Sequence, residues 1–101
     1  PRLRGLAAAG GVGSLTGVLP AVTLTAQASL FTGTLPQQHG GVANGWHYRD
    51  TEEIRFWQQS RNLLSAPLVY EVARQRAAER GRTLRVAKLF AWFNQASRVD
   101  L

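Results

Sequence analysis

The sequence contains no cysteine. That excludes a disulfide framework and any metal site built on thiolates. Histidine is scarce, with only His39 and His47, and acidic residues number six against twelve basic ones. Asp50, Glu52 and Glu53 are the one acidic cluster, and their spacing does not repeat a calcium loop, so they read as a solvated turn. No apolar run approaches the roughly 20 residues needed to cross a bilayer. The net charge of +6 comes mostly from arginine. These residues are scattered and cluster only between Arg74 and Lys88, which is not the basic stripe of a nucleic-acid binder. Nucleic acid is therefore not the expected partner.

What the sequence does have is an organised stretch from Pro20 to Trp46, PAVTLTAQASLFTGTLPQQHGGVANGW. Pro20 holds Leu19 out of the helical region, so the chain arrives extended. Thr23 then opens a segment of helical character over 24–32, with Leu24, Ala28 and Phe31 spaced to bury one face. A hydroxyl at a helix mouth lies among unpaired N–H groups at the positive end of the dipole, a setting that suits a phosphoryl group. It equally suits a plain N-cap. Thr25 and Gln27 could point at the site, but they read first as solvated or capping residues. Pro36 to Gly40 is a turn, followed by a glycine-rich loop through Gly41 and Gly45 that can fold Asn44 back towards Thr23. Asn44 before Gly45 also fits a left-handed turn position.

Thr23, the run Ser29-Leu30-Phe31-Thr32-Gly33, Pro36, His39-Gly40 and Asn44-Gly45 together resemble the type I phosphodiesterase/nucleotide pyrophosphatase branch of the alkaline phosphatase superfamily. The likeness continues through the segments at 55–60 and 87–90 and covers nearly the whole chain. Gly41 departs from it, standing where the family usually has Ile. The resemblance implies that Thr23 is the nucleophile and a metal ligand, activated by two divalent ions, with Zn2+ the expected metal. It implies that Asn44 donates to a phosphate oxygen, and that His39 belongs to the fold motif and not to the metal ligands. Leu24 stands where nucleotide pyrophosphatases commonly carry a base-stacking Phe, which leaves phosphate esters other than nucleotides open.

Either side of this stretch the signals are simpler. The segment 1–9 reads as a short helix with Pro1 in its first turn, stopped by Gly10-Gly11. The segment 12–19 reads as a short strand or extended piece. The segment 46–57 alternates aromatic and polar residues and reads as a hairpin or extended loop. The segment 58–66 reads as a linker. Helix 67–80 follows, with Leu68, Val69, Val72, Ala73 and Ala77 as its buried stripe and Gly81 as its stop. The segment 84–90 reads as a strand, which with the helix makes half of a βαβ unit. Trp92, Phe93 and Asn94 then fall where α/β folds place ligands.

The fold expected is α/β. By resemblance it is a partial alkaline-phosphatase-like α/β/α sandwich with a mostly parallel central sheet. Residues 1–101 would be the N-terminal part of one catalytic domain lacking its first strand and its C-terminal part. The function expected is metal-dependent hydrolysis of phosphodiester or phosphomonoester bonds on a small-molecule substrate, with these residues alone inactive. The alternative is a non-catalytic binding or scaffold domain that keeps the fold without the metals.

Overall fold

The computed structural model of the chain describes residues 2–101. Helix α1 spans Arg2–Gly10, and its sequence RLRGLAAAG is rich in strong helix formers. Gly11, at φ 96, ends it, with its N–H bonded to Ala7 O at 2.8 Å. The helix buries nothing: Leu3 and Leu6 face solvent. Pro1, expected in its first turn, lies outside the described residues. The segment 12–19, expected as strand or extended chain, forms no strand, and Val12, Leu15 and Leu19 are exposed. A strand needs a neighbour to take its N–H and C=O groups, and none lies beside it among the described residues.

Helix α2 spans Thr23–Thr32. Leu24 and Ala28, one turn apart, are fully buried, and Phe31 packs against the same core. Gly33 closes the helix at φ 67, a left-handed position that glycine adopts without strain, and its N–H reaches Ser29 O at 2.8 Å. A single helical turn, α3, follows at Pro36–His39. Gln38 Oε1 accepts from the Leu35 N–H at 3.2 Å and fixes its entry.

The expected hairpin is present. Strands β1 (Gly45–Tyr48) and β2 (Glu53–Phe56) pair antiparallel, Gly45 opposite Phe56 and Tyr48 opposite Glu53. A Cβ on Gly45 would meet the Phe56 ring at 2.9 Å, so the aromatic lies directly on the glycine. Asp50, Glu52 and Glu53 are all exposed, in agreement with a solvated turn.

The segment 58–66 is more than a linker, because it holds a 3-10 turn, Arg61–Leu63, and two core residues, Leu64 and Ala66. Helix α4 spans Val69–Glu79. Its buried stripe differs from expectation: Leu68, just before the helix, is buried, but within it only Tyr70 is, while Val69 is exposed and Val72, Ala73 and Ala77 are half-buried. The Tyr70 hydroxyl finds Ser97 Oγ at 3.1 Å, so its ring can turn inward with its polar end satisfied.

The strand expected at 84–90 is absent; that segment is irregular. Its polar groups are taken by the chain's C-terminal end and by α4 instead of a sheet. The Val86 N–H donates to Asp100 Oδ2 at 2.7 Å, the Lys88 N–H to Leu101 O at 2.7 Å, and Arg74 Nε to Leu84 O at 3.3 Å. The buried apolar residues are Leu24, Ala28, Leu64, Ala66, Leu68, Tyr70 and Phe93. The mixture of helices with a small antiparallel sheet is compatible with the α/β class. The radius of gyration, 16.6 Å, exceeds the roughly 13 Å of a compact domain of this length.

Candidate active site

Thr23 is the first residue of α2, not its cap. The cap position belongs to Val22, in extended conformation at φ −118 and ψ 155, and Val22 has no side chain able to accept a hydrogen bond. The capping role that the sequence left open for Thr23 is filled from elsewhere. Asn44 Oδ1 accepts the Leu24 N–H at 3.0 Å across 20 residues of chain. The Thr23 side chain is exposed and makes no hydrogen bond among the described residues.

That bond fixes which way the Asn44 amide points. Its oxygen faces the helix, so its Nδ2 donors face away, and they bond to nothing else among the described residues. Asn44 is not among the residues with positive φ, so the left-handed turn role does not apply. Its main chain is engaged as well: Asn44 O accepts the Trp57 N–H at 2.8 Å. The residue thus ties the mouth of α2 to both ends of the hairpin. Exposed hydroxyl, free amide donors and unpaired first-turn N–H groups lie together at one helix end.

His39 holds the loop in place, as a residue of the fold. It is buried, and Nδ1 accepts the Gly41 N–H at 3.0 Å. The proton therefore sits on Nε2, which lies 2.9 Å from Ser29 Oγ and donates to it. Its carbonyl accepts the Ser65 N–H at 3.0 Å. Burial lowers its pKa below the ordinary 6.5, because the imidazolium would lose water there. Gly41 fits this packing closely, and a side chain there would make its neighbours give way. A Cβ there would meet Leu64 Cδ2 at 3.0 Å and Ala28 Cβ and His39 Nδ1 at 3.2 Å.

Two polar residues of α2 differ from expectation. Thr25 is fully buried and its Oγ1 has no partner among the described residues. Gln27 accepts the Trp92 N–H through Oε1 at 2.8 Å, across 65 residues. Gln27 falls where Trp92 of the C-terminal segment packs, and that segment's course is not written in local sequence. Of the three residues expected near a ligand, Phe93 is a fully buried core residue, Trp92 packs on that core, and Asn94 is exposed.

One further cluster has a sequence signal that passes easily unseen. Glu71 stands three residues after Leu68, the spacing of a carboxylate that closes a helix start. Its Oε2 accepts the Leu68 N–H at 2.8 Å. Arg61 grips the same carboxylate at 2.6 and 2.7 Å and also donates to Leu64 O at 2.7 Å and Ala66 O at 3.2 Å. The hydrogen bond from Arg61 holds the Glu71 carboxyl below the usual carboxylate range.

As to a metal, the Thr23 hydroxyl has free lone pairs, so it fits a cation as one ligand of a set. No three His, Cys, Asp or Glu side chains converge to hold an ion among the described residues. No helix there is long and apolar enough to cross a membrane.

No curated protein and no solved structure matches the chain. The family model for type I phosphodiesterase / nucleotide pyrophosphatase matches residues 1–101, and the chain belongs to that family.

Proposed function

We propose that these residues carry the nucleophile end of a metal-dependent phosphoric ester hydrolase acting on small phosphodiesters or phosphomonoesters. The family supplies the reaction class, hydrolysis of phosphodiester or pyrophosphate bonds. The observation that carries the finer reading is the Asn44 amide, turned by the Leu24 N–H so that its donors face away from the helix.

In this reading Thr23 Oγ1 gives up its proton and attacks phosphorus in line. The ester oxygen departs on the opposite side and takes a proton from solvent. Water then cleaves the phosphothreonine to release phosphate and restore the hydroxyl. Asn44 Nδ2 donates to a non-bridging oxygen as charge gathers on it. A donor held before the reaction begins needs no reorganisation during it. The unpaired N–H groups of the first helical turn add a fixed positive field. A threonine hydroxyl is a poor nucleophile at its own pKa. Two divalent cations, zinc by resemblance, would when bound supply the positive charge that ionises it and offsets charge in the transition state. Thr23 is the ligand that these residues offer, and the other ligands come from chain outside them.

The same reading makes the chain one part of an α/β/α domain with a parallel sheet. What supports it is unburied apolar surface. Leu3, Leu6, Val12, Leu15 and Leu19 line the first 19 residues and face solvent, more than an isolated domain leaves open along one segment. The test is hydrolysis of bis(p-nitrophenyl) phosphate by the zinc-loaded full-length protein. Turnover that chelator removes and zinc restores supports the reading; no turnover on mono- or diesters with zinc contradicts it.

A further inference from the structure

Trp57 is held in a conformation that its residue type avoids. Its φ is 59, in the left-handed region, where a bulky side chain is strained. The strained residue adjoins the candidate site, since the Trp57 N–H is the one bonded to Asn44 O at 2.8 Å. Such strain persists only where surrounding structure over-determines it, and it collects at ligand sites. The indole gains little burial in return, for the residue is 54% exposed.

The ring is nonetheless fixed. It meets Trp92 edge to face, with centroids 5.7 Å apart and planes at 71°. Trp92 is itself moored, its N–H bonded to Gln27 Oε1 at 2.8 Å. Gln27 lies four residues after Thr23, so the two share one face of α2. One end of the Trp57–Trp92 pair is therefore tied to Asn44 and the other to the Thr23 face. The pair is also unfinished as a core element: Trp92 Nε1 is buried without a partner among the described residues, whereas a buried indole N–H ordinarily has one.

We infer that Trp57 is a specificity-determining residue: its exposed indole face contacts the organic group of the phosphoester beside the Thr23–Asn44 site and selects substrates with a flat apolar or aromatic substituent. The inference rests on the phosphoester reading above and extends it to substrate class. An indole fixed in advance loses little side-chain entropy when a flat group lies on it, so the preference appears as affinity.

The test is calorimetric titration of the full-length zinc-loaded protein with phenylphosphonate and with methylphosphonate, which share the phosphoryl head and are not hydrolysed. The wild type should bind phenylphosphonate about 5- to 10-fold more tightly, the scale of one aromatic contact. Trp57→Gly removes the ring and relaxes the backbone, so it should fold and lose that preference while binding methylphosphonate as before. Trp57→Phe should keep most of it. An unchanged preference in Trp57→Gly, or equal weakening of both phosphonates, overturns the role of Trp57 alone. Failure of the wild type to bind methylphosphonate overturns the phosphoester reading and this inference with it.

Discussion

The Leu24 N–H donates to Asn44 Oδ1 at 3.0 Å, so one side chain both caps the catalytic-candidate helix and aims its amide donors. The two duties can be separated. Asn44→Asp keeps an acceptor for Leu24 and places a negative charge at a helix N-terminus, which favours folding, but it removes the Nδ2 donor. It should unfold at the wild-type temperature or above. Its turnover should fall on the order of 100- to 1,000-fold, the usual effect of losing one such donor. Asn44→Ala should lose turnover and also about 1 kcal/mol of stability from the cap. Thermal melts and kcat on an aryl phosphodiester measure both; an Asn44→Asp variant of near-normal kcat would remove Asn44 from the chemistry.

The Arg61–Glu71 pair is largely withdrawn from water, with side-chain exposures of 16% and 27%. Removing one partner leaves the other charge poorly solvated. Arg61→Ala and Glu71→Ala should each cost about 2–3 kcal/mol, and the double variant clearly less than their sum. Denaturant titrations of the four proteins give the coupling. Strict additivity would mean that the two residues stabilise the chain independently.

His39 sets a pH dependence. Its folded pKa is lowered by burial, so the unfolded chain binds the proton more readily than the native one. Its stability contribution is complete above about 6.5 and is lost as pH falls through the lower folded value. Glu71, also lowered, acts in a separate window below the ordinary glutamate value of 4.5. NMR titration of the His39 imidazole should give a pKa below 6.5 with the neutral proton on Nε2. A pKa at or above 6.5 would contradict the hydrogen-bond pattern drawn here.

The 101 residues alone should hold zinc weakly and hydrolyse nothing. A catalytic zinc takes about three protein ligands plus an open position, and Thr23 is the only ligand assigned here. Calorimetric titration of the isolated chain should show no submicromolar site. One-to-one submicromolar binding would mean that the ligand set includes residues not assigned to it.

Much of the local structure was legible because local chemistry decides it. The glycine stops at Gly11 and Gly81, the hairpin around Asp50, and helix α4 within two residues at its start all follow from spacing and residue type. The joint placement of Thr23 and Asn44 was also foreseen, though the mechanism of contact was not: the asparagine grips Leu24. What escaped is non-local. Nothing near Gln27 announces Trp92, and nothing near residue 84 announces that Asp100 and Leu101 will take the backbone bonds a sheet would otherwise have taken. Val69 and Tyr70 are adjacent on a helix, and the one that turns inward, Tyr70, finds its hydroxyl partner in Ser97, 27 residues away.

The central claim is that Thr23 is the nucleophile, and its exposed, unbonded side chain makes the test clean. Thr23→Ala removes no cap and no packing, so stability should change by less than about 0.5 kcal/mol. Measured on bis(p-nitrophenyl) phosphate with the zinc-loaded full-length protein, Thr23→Ala should show no turnover above background while Thr23→Ser retains part of it. Near wild-type turnover in a folded Thr23→Ala protein would contradict the account.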